Sequence, residues 1–166
     1  MLLPYQKFTL QSHLRSDEVI QRLNAVIKPP RKWSLNPFNK GDGKFQGEVT
    51  GSRFQIIRDI AYRNSFLPMV RGVVTPSAEG STIKVVIRMN VLVIAFMLLW
   101  LGGVCLAIFT TFHQISTCQG NHCTGLIVPI GMFIFGLVLP LIGFLPEAWK
   151  AKKFLSSTLE ATEVKS

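Results

Sequence analysis

The sequence predicts an α+β domain followed by a two-helix transmembrane hairpin: a strand, a helix and a four-stranded antiparallel meander, then two apolar spans. Three observations carry this. No Lys, Arg, Asp or Glu occurs from Met89 to Pro146, a run far longer than the ~18 apolar residues that mark a spanning helix. A polar stretch, His113–Gly125, divides that run into two lengths suited to one span each. Ahead of it, period-two alternation recurs in segments separated by short turn signals, as in antiparallel strands with one buried face.

Tyr5–Leu14 sets Phe8, Leu10, Ser12 and Leu14 against Lys7, Thr9, Gln11 and His13, a half-buried strand. Ser16 reads as an N-cap, with Asp17 and Glu18 where the helix dipole favours negative charge. Val19, Ile20, Leu23, Val26 and Ile27 form one apolar stripe, and Pro29-Pro30 stops the helix. After a loop, Arg31–Gly43, strands are expected at Lys44–Val49, Ser52–Tyr62, Met69–Pro76 and Thr82–Met89. Hairpin-length connections make them a meander, with the helix packed across it. The domain thus occupies 1–89. The hairpin occupies 90–145, with spans at 91–112 and 126–145 and an outer loop at 113–125. A helical tail, 146–166, starts at Pro146, with Ala148, Ala151, Leu155, Leu159 and Thr162 on one face.

Charge predicts orientation. Up to Arg88 there are fourteen Lys or Arg against six Asp or Glu; from Glu147 onward, four against three; the loop has no Lys or Arg. The positive-inside bias puts both termini in the cytoplasm. Met1–Tyr5 is too short for a signal peptide, which agrees with a cytoplasmic front domain. In a tethered domain the basic excess favours anionic lipid over nucleic acid, unless it is only the positive-inside signal and a solvated surface. No G-x-S-x-G, P-loop, G-x-G-x-x-G, H-E-x-x-H or EF-hand pattern occurs. The expectation is a protein without enzymatic activity or cofactor.

Several residues stand out. Arg31, Lys32, Lys40 and Lys44 surround Trp33 and Phe38, a candidate contact for lipid or a partner; the equal alternative makes Trp33 a lid over the sheet. Cys118 and Cys123 flank a Gly-Asn turn and suit a disulfide in an oxidising space. Free thiols are the alternative, or a metal site with His113 and His122, although adjacent His122-Cys123 departs from the usual ligand spacing. Cys105, within the first span, reads as a small hydrophobe. Gly103 and Ala107 form a small-xxx-small pair for helix packing. Gly131, Gly136 and Gly143, with Pro129 and Pro140, suggest close packing and a kink in the second span. Arg58 is in phase with Phe54, Ile56 and Ile60, so it falls on the core face and needs a carboxylate or an open edge. Tyr62-Arg63-Asn64-Ser65 reads as an irregular corner or a binding site.

The run Arg58-x-Ile60-x-Tyr62-Arg63-Asn64-Ser65-Phe66-x-Pro68, then Gly72 and a strand entering a span with Trp100 and Gly102-Gly103, resembles a group of small bacterial membrane proteins of uncharacterised role. That resemblance implies a bacterial inner-membrane location and assigns no activity. The strand-helix-sheet opening is also similar to a helix-grip domain, except that no long helix stands between sheet and first span. The functional expectation is an accessory or interaction protein. Its partners would be membrane lipids, with a protein partner or self-association through the spans, and no nucleic acid. The alternative is a redox- or metal-responsive sensor acting through Cys118 and Cys123.

Overall fold

The computed structural model describes residues 5–29, 43–60, 64–117 and 124–164. Among these, the elements in chain order are β1 (Tyr5–Ser12), α1 (Ser16–Val26), β2 (Phe45–Thr50), β3 (Arg53–Arg58), β4 (Met69–Ser77), β5 (Gly80–Arg88), α2 (Val91–Thr117), α3 (Thr124–Thr158) and β6 (Ala161–Val164). The strands form one antiparallel sheet in the order β2-β3-β4-β5-β1-β6. It has six strands, where a first strand and a four-stranded meander were expected. β1 joins it beside β5, from Tyr5 opposite Arg88 to Ser12 opposite Ser81. β6 comes from the tail and pairs with β1, Ser12 opposite Ala161 and Thr9 opposite Val164.

Alternation decides which face is core. Phe8, Leu10, Phe54, Ile56, Val70, Val74, Ile83, Val85 and Ile87 are buried, while their neighbours along each strand are exposed or half-buried. Gly72 belongs to the buried set because the Phe54 ring occupies the space a Cβ would need. At the β4–β5 turn Gly80 takes φ +128° and its backbone lies against Ser12 and His13, so no other residue suits the position.

Two helices cover the buried face. α1 contributes Val19 and Leu23, a narrower stripe than expected: Val26 is exposed, and Ile20 and Ile27 are half-buried. Its N-cap is Arg15 rather than Ser16, and the Glu18 carboxylate accepts the Arg15 N–H at 3.3 Å. From α3 come Phe144, Ala148, Ala151 and Leu155, followed by Leu159, all at most 1% exposed. Phe154 stacks on Phe45 with ring centroids 4.2 Å apart, and Lys152 Nζ lies 5.0 Å above the Phe8 ring. Ser12 Oγ donates to Leu159 O at 2.6 Å. Glu160, at φ +48°, turns the chain out of the helix into β6, and Arg22 of α1 bonds its carboxylate at 2.6 Å.

Boundaries differ from expectation at several points. β1 ends at Ser12 rather than Leu14, and α2 runs to Thr117 and α3 starts at Thr124, inside the loop expected at 113–125. β3 stops at Arg58 rather than Tyr62. α3 passes through Pro146 without interruption instead of restarting there. Thr162 lies in β6 and is exposed, so it is not on the helical face. The chain divides into two compact units, residues 1–89 with 143–166, and residues 90–142. The tail is therefore part of the α+β unit, and the apolar hairpin is an insertion in it. Val91–His113 and Gly125–Thr158 are each long and apolar enough to cross a membrane. Only 6% of the apolar window of either is buried, so neither window lies in a packed core.

Candidate functional site

Two features of the α+β unit concentrate charge. The first is a junction where the end of β3 meets α3. Alternation sends Arg58 to the core face after Phe54 and Ile56, at the margin of the sheet. Its Nη1 donates to both Glu147 oxygens, at 2.9 and 2.7 Å, and its Nε donates to Gly43 O at 3.0 Å. Glu147 is 2% exposed, and Lys150, one turn further along α3, donates to Oε1 at 2.8 Å. This is the carboxylate that an in-phase arginine requires; a buried carboxylate persists only when paired and hydrogen-bonded. Beside it, Asn64 Nδ2 donates to Gly143 O at 2.9 Å, and Asn64 Oδ1 accepts the Phe66 N–H at 2.9 Å. Gly143 lacks the Cβ that would strike Phe66 and Asn64. The junction fixes the register of α3 on the sheet.

The second feature is the sheet face that neither helix covers. Register places directly opposite residues on the same face. Val86 of β5 is opposite Lys7 on one side and Arg71 on the other, and Lys84 and Arg88 flank it along its own strand. Four cations thus surround one half-buried valine. Diagonal neighbours in such a lattice are about 7–8 Å apart. Arg71 Nε bonds Gln55 Oε1 at 2.9 Å, and none of the four is ion-paired among the described residues. Arg53 extends the basic surface across β3 beside Val73, and Glu48 at the β2 margin is the one acid in these rows of the sheet. A shallow concavity of about 700 Å³ lies over β2, β3 and β4, bordered by Arg53, Arg71, Glu48, Ile57 and Met69. A cation held near an anionic leaflet gains ~1 kcal/mol, so such a surface matters when several act together.

The expected site residues are scattered by comparison. Arg31, Lys32, Trp33, Phe38 and Lys40 lie outside the described residues, as do Tyr62, Arg63, Cys118, His122 and Cys123. Lys44 is exposed just before β2, and Ser65 is exposed in the corner that Asn64 organises. His113 is exposed near the end of α2. Among the described residues no group of three His, Cys, Asp or Glu stands close enough to hold a metal. Cys105 is exposed and unbonded. Gly103 and Ala107 are also exposed, with open space around Gly103; within the hairpin the close approach is instead Gly136 against Trp100 and Leu101. Gly131 is open. Glu147 was not among the expected site residues. Its signal was present, because it precedes Ala148 and falls on the stripe that continues to Ala151 and Leu155. No family model, curated protein or solved structure matches the chain.

Proposed function

We propose that the chain is a non-enzymatic accessory or interaction protein of a bacterial inner membrane, in which a two-span hairpin holds a basic α+β domain at the cytoplasmic surface. One observation carries this reading. Residues 1–89 and 143–166 share a single core, so the insertion begins and ends in the same folded unit. That connectivity supports a topology with both hairpin ends on one side, and the charge asymmetry of the flanks favours the cytoplasm. Reporters fused after Lys84 or after Ser166 should be active only as cytoplasmic reporters, and reporters inserted within Ser116–Thr124 only as exported ones. Opposite locations for the two flanks would remove the hairpin.

A second reading, a redox- or metal-responsive sensor, is favoured by the continuity of α3. That helix begins at Thr124, next to Cys123, and contributes Leu155 to the α+β core. Under this reading the double variant Cys118→Ser, Cys123→Ser should abolish any difference between oxidised and reduced membranes in what co-purifies with the protein. A wild-type protein whose co-purifying partners are the same in both conditions leaves the sensor reading without support.

A further inference from the structure

We infer that the open sheet face centred on Val86 binds the anionic phosphate headgroups of the membrane in which the protein is anchored. The inference rests on the anchoring reading above and adds the ligand class and the residues. Lys7, Arg71, Lys84 and Arg88 present an uncompensated positive surface to a ligand of opposite charge. Their diagonal spacing of about 7–8 Å suits several separate phosphates better than one buried anion. Arg88 ends β5 and Val91 begins α2, so two residues separate this face from the first apolar helix. Anionic headgroups are consequently the ligand at highest effective concentration, and a contact worth about five-fold per cation suffices there when it would be negligible for a free domain. The row through Arg88 carries Tyr5, Met69 and Ile57, an aromatic and two apolar side chains on the row nearest the span in sequence. Aromatic side chains favour the headgroup level. Single-stranded nucleic acid is a poorer ligand, since sheets that bind it stack bases on aromatic rings and Tyr5 is the one aromatic residue among the described residues of this face.

Amine-reactive footprinting of the full-length protein tests this without altering the chain. In nanodiscs containing phosphatidylglycerol, Lys7 and Lys84 should label about five-fold more slowly than in phosphatidylcholine discs. Lys152, on α3 and ion-paired with Glu163, should label equally in both. About 1 M salt, where the screening length is roughly 3 Å, should abolish the difference. The variant Arg71→Gln, Arg88→Gln should reduce it. Equal labelling in the two lipids overturns the assignment. So does protection by inorganic phosphate in phosphatidylcholine discs, which means a soluble-anion site, or protection by polyglutamate but not by phosphatidylglycerol, which means an acidic protein. Alkaline carbonate extraction separates the two levels: release from native membranes defeats the anchoring itself, whereas retained protein with unprotected lysines defeats only the lipid assignment.

Discussion

Arg58→Met should destabilise the α+β unit by about 3 kcal/mol, the scale seen when one partner of a buried ion pair is removed. The loss comes from Glu147, a carboxylate 2% exposed that loses both of its bonds from Arg58. The reciprocal change, Glu147→Leu, should cost less. It leaves a guanidinium whose side chain is 23% exposed and which keeps its bond to Gly43 O. Combining the two should recover most of the loss, because an apolar pair of similar volume replaces a buried ion pair at little cost. The measurement is a double-mutant cycle on the full chain in detergent, read by the denaturant midpoint of proteolytic protection in β3 and β4. A larger loss for Glu147→Leu than for Arg58→Met would mean that the buried carboxylate does not depend on Arg58.

A chain ending at Ile142 should fail to form the sheet at all. It lacks Phe144, Leu155 and Leu159, each 0% exposed, together with Ala148 and Ala151. At roughly 1.5–3 kcal/mol for each large side chain, the three together approach the whole 5–15 kcal/mol stability of a typical domain. The counterpart is a chain that joins 1–89 to 143–164 by a flexible Gly/Ser linker and omits the hairpin. It should give dispersed amide resonances, while 1–89 alone should give those of an unfolded chain. A folded 1–89 would show that α3 and β6 are accessory to the sheet rather than part of its core.

Both apolar helices were readable because an uncharged run of that length has few alternatives, and most strands because their alternation is uninterrupted. Arg58 announced a missing carboxylate by its phase. What stayed hidden was where things meet. Ala148, Ala151, Leu155 and Leu159 define a helical face, but periodicity does not say what covers it. Pro146 suits a helix start, so a break was expected there; in α3 the Pro costs one hydrogen bond that packing offsets. β6 spans Ala161–Val164, too short for an alternation signal. The ring around Val86 draws Lys7, Arg71, Lys84 and Arg88 from three strands, so it exists only once register is known.

Placing the hairpin inside the domain also sets a timetable for synthesis. β1 emerges early, yet Ser12 waits 147 residues for the Leu159 carbonyl, and Thr9 waits for Val164 across the next ladder. Closure over such separations is slow, because loop entropy is lost before any contact rewards it. Until Gly143 and the residues after it leave the ribosome, Phe45 lacks Phe154, the Phe8 ring lacks Lys152 and the Ser12 hydroxyl lacks its acceptor. A nascent chain that stalls while its apolar helices are being handled displays that unfinished core to chaperones and proteases. The α+β core is therefore completed only after both apolar helices have been synthesised.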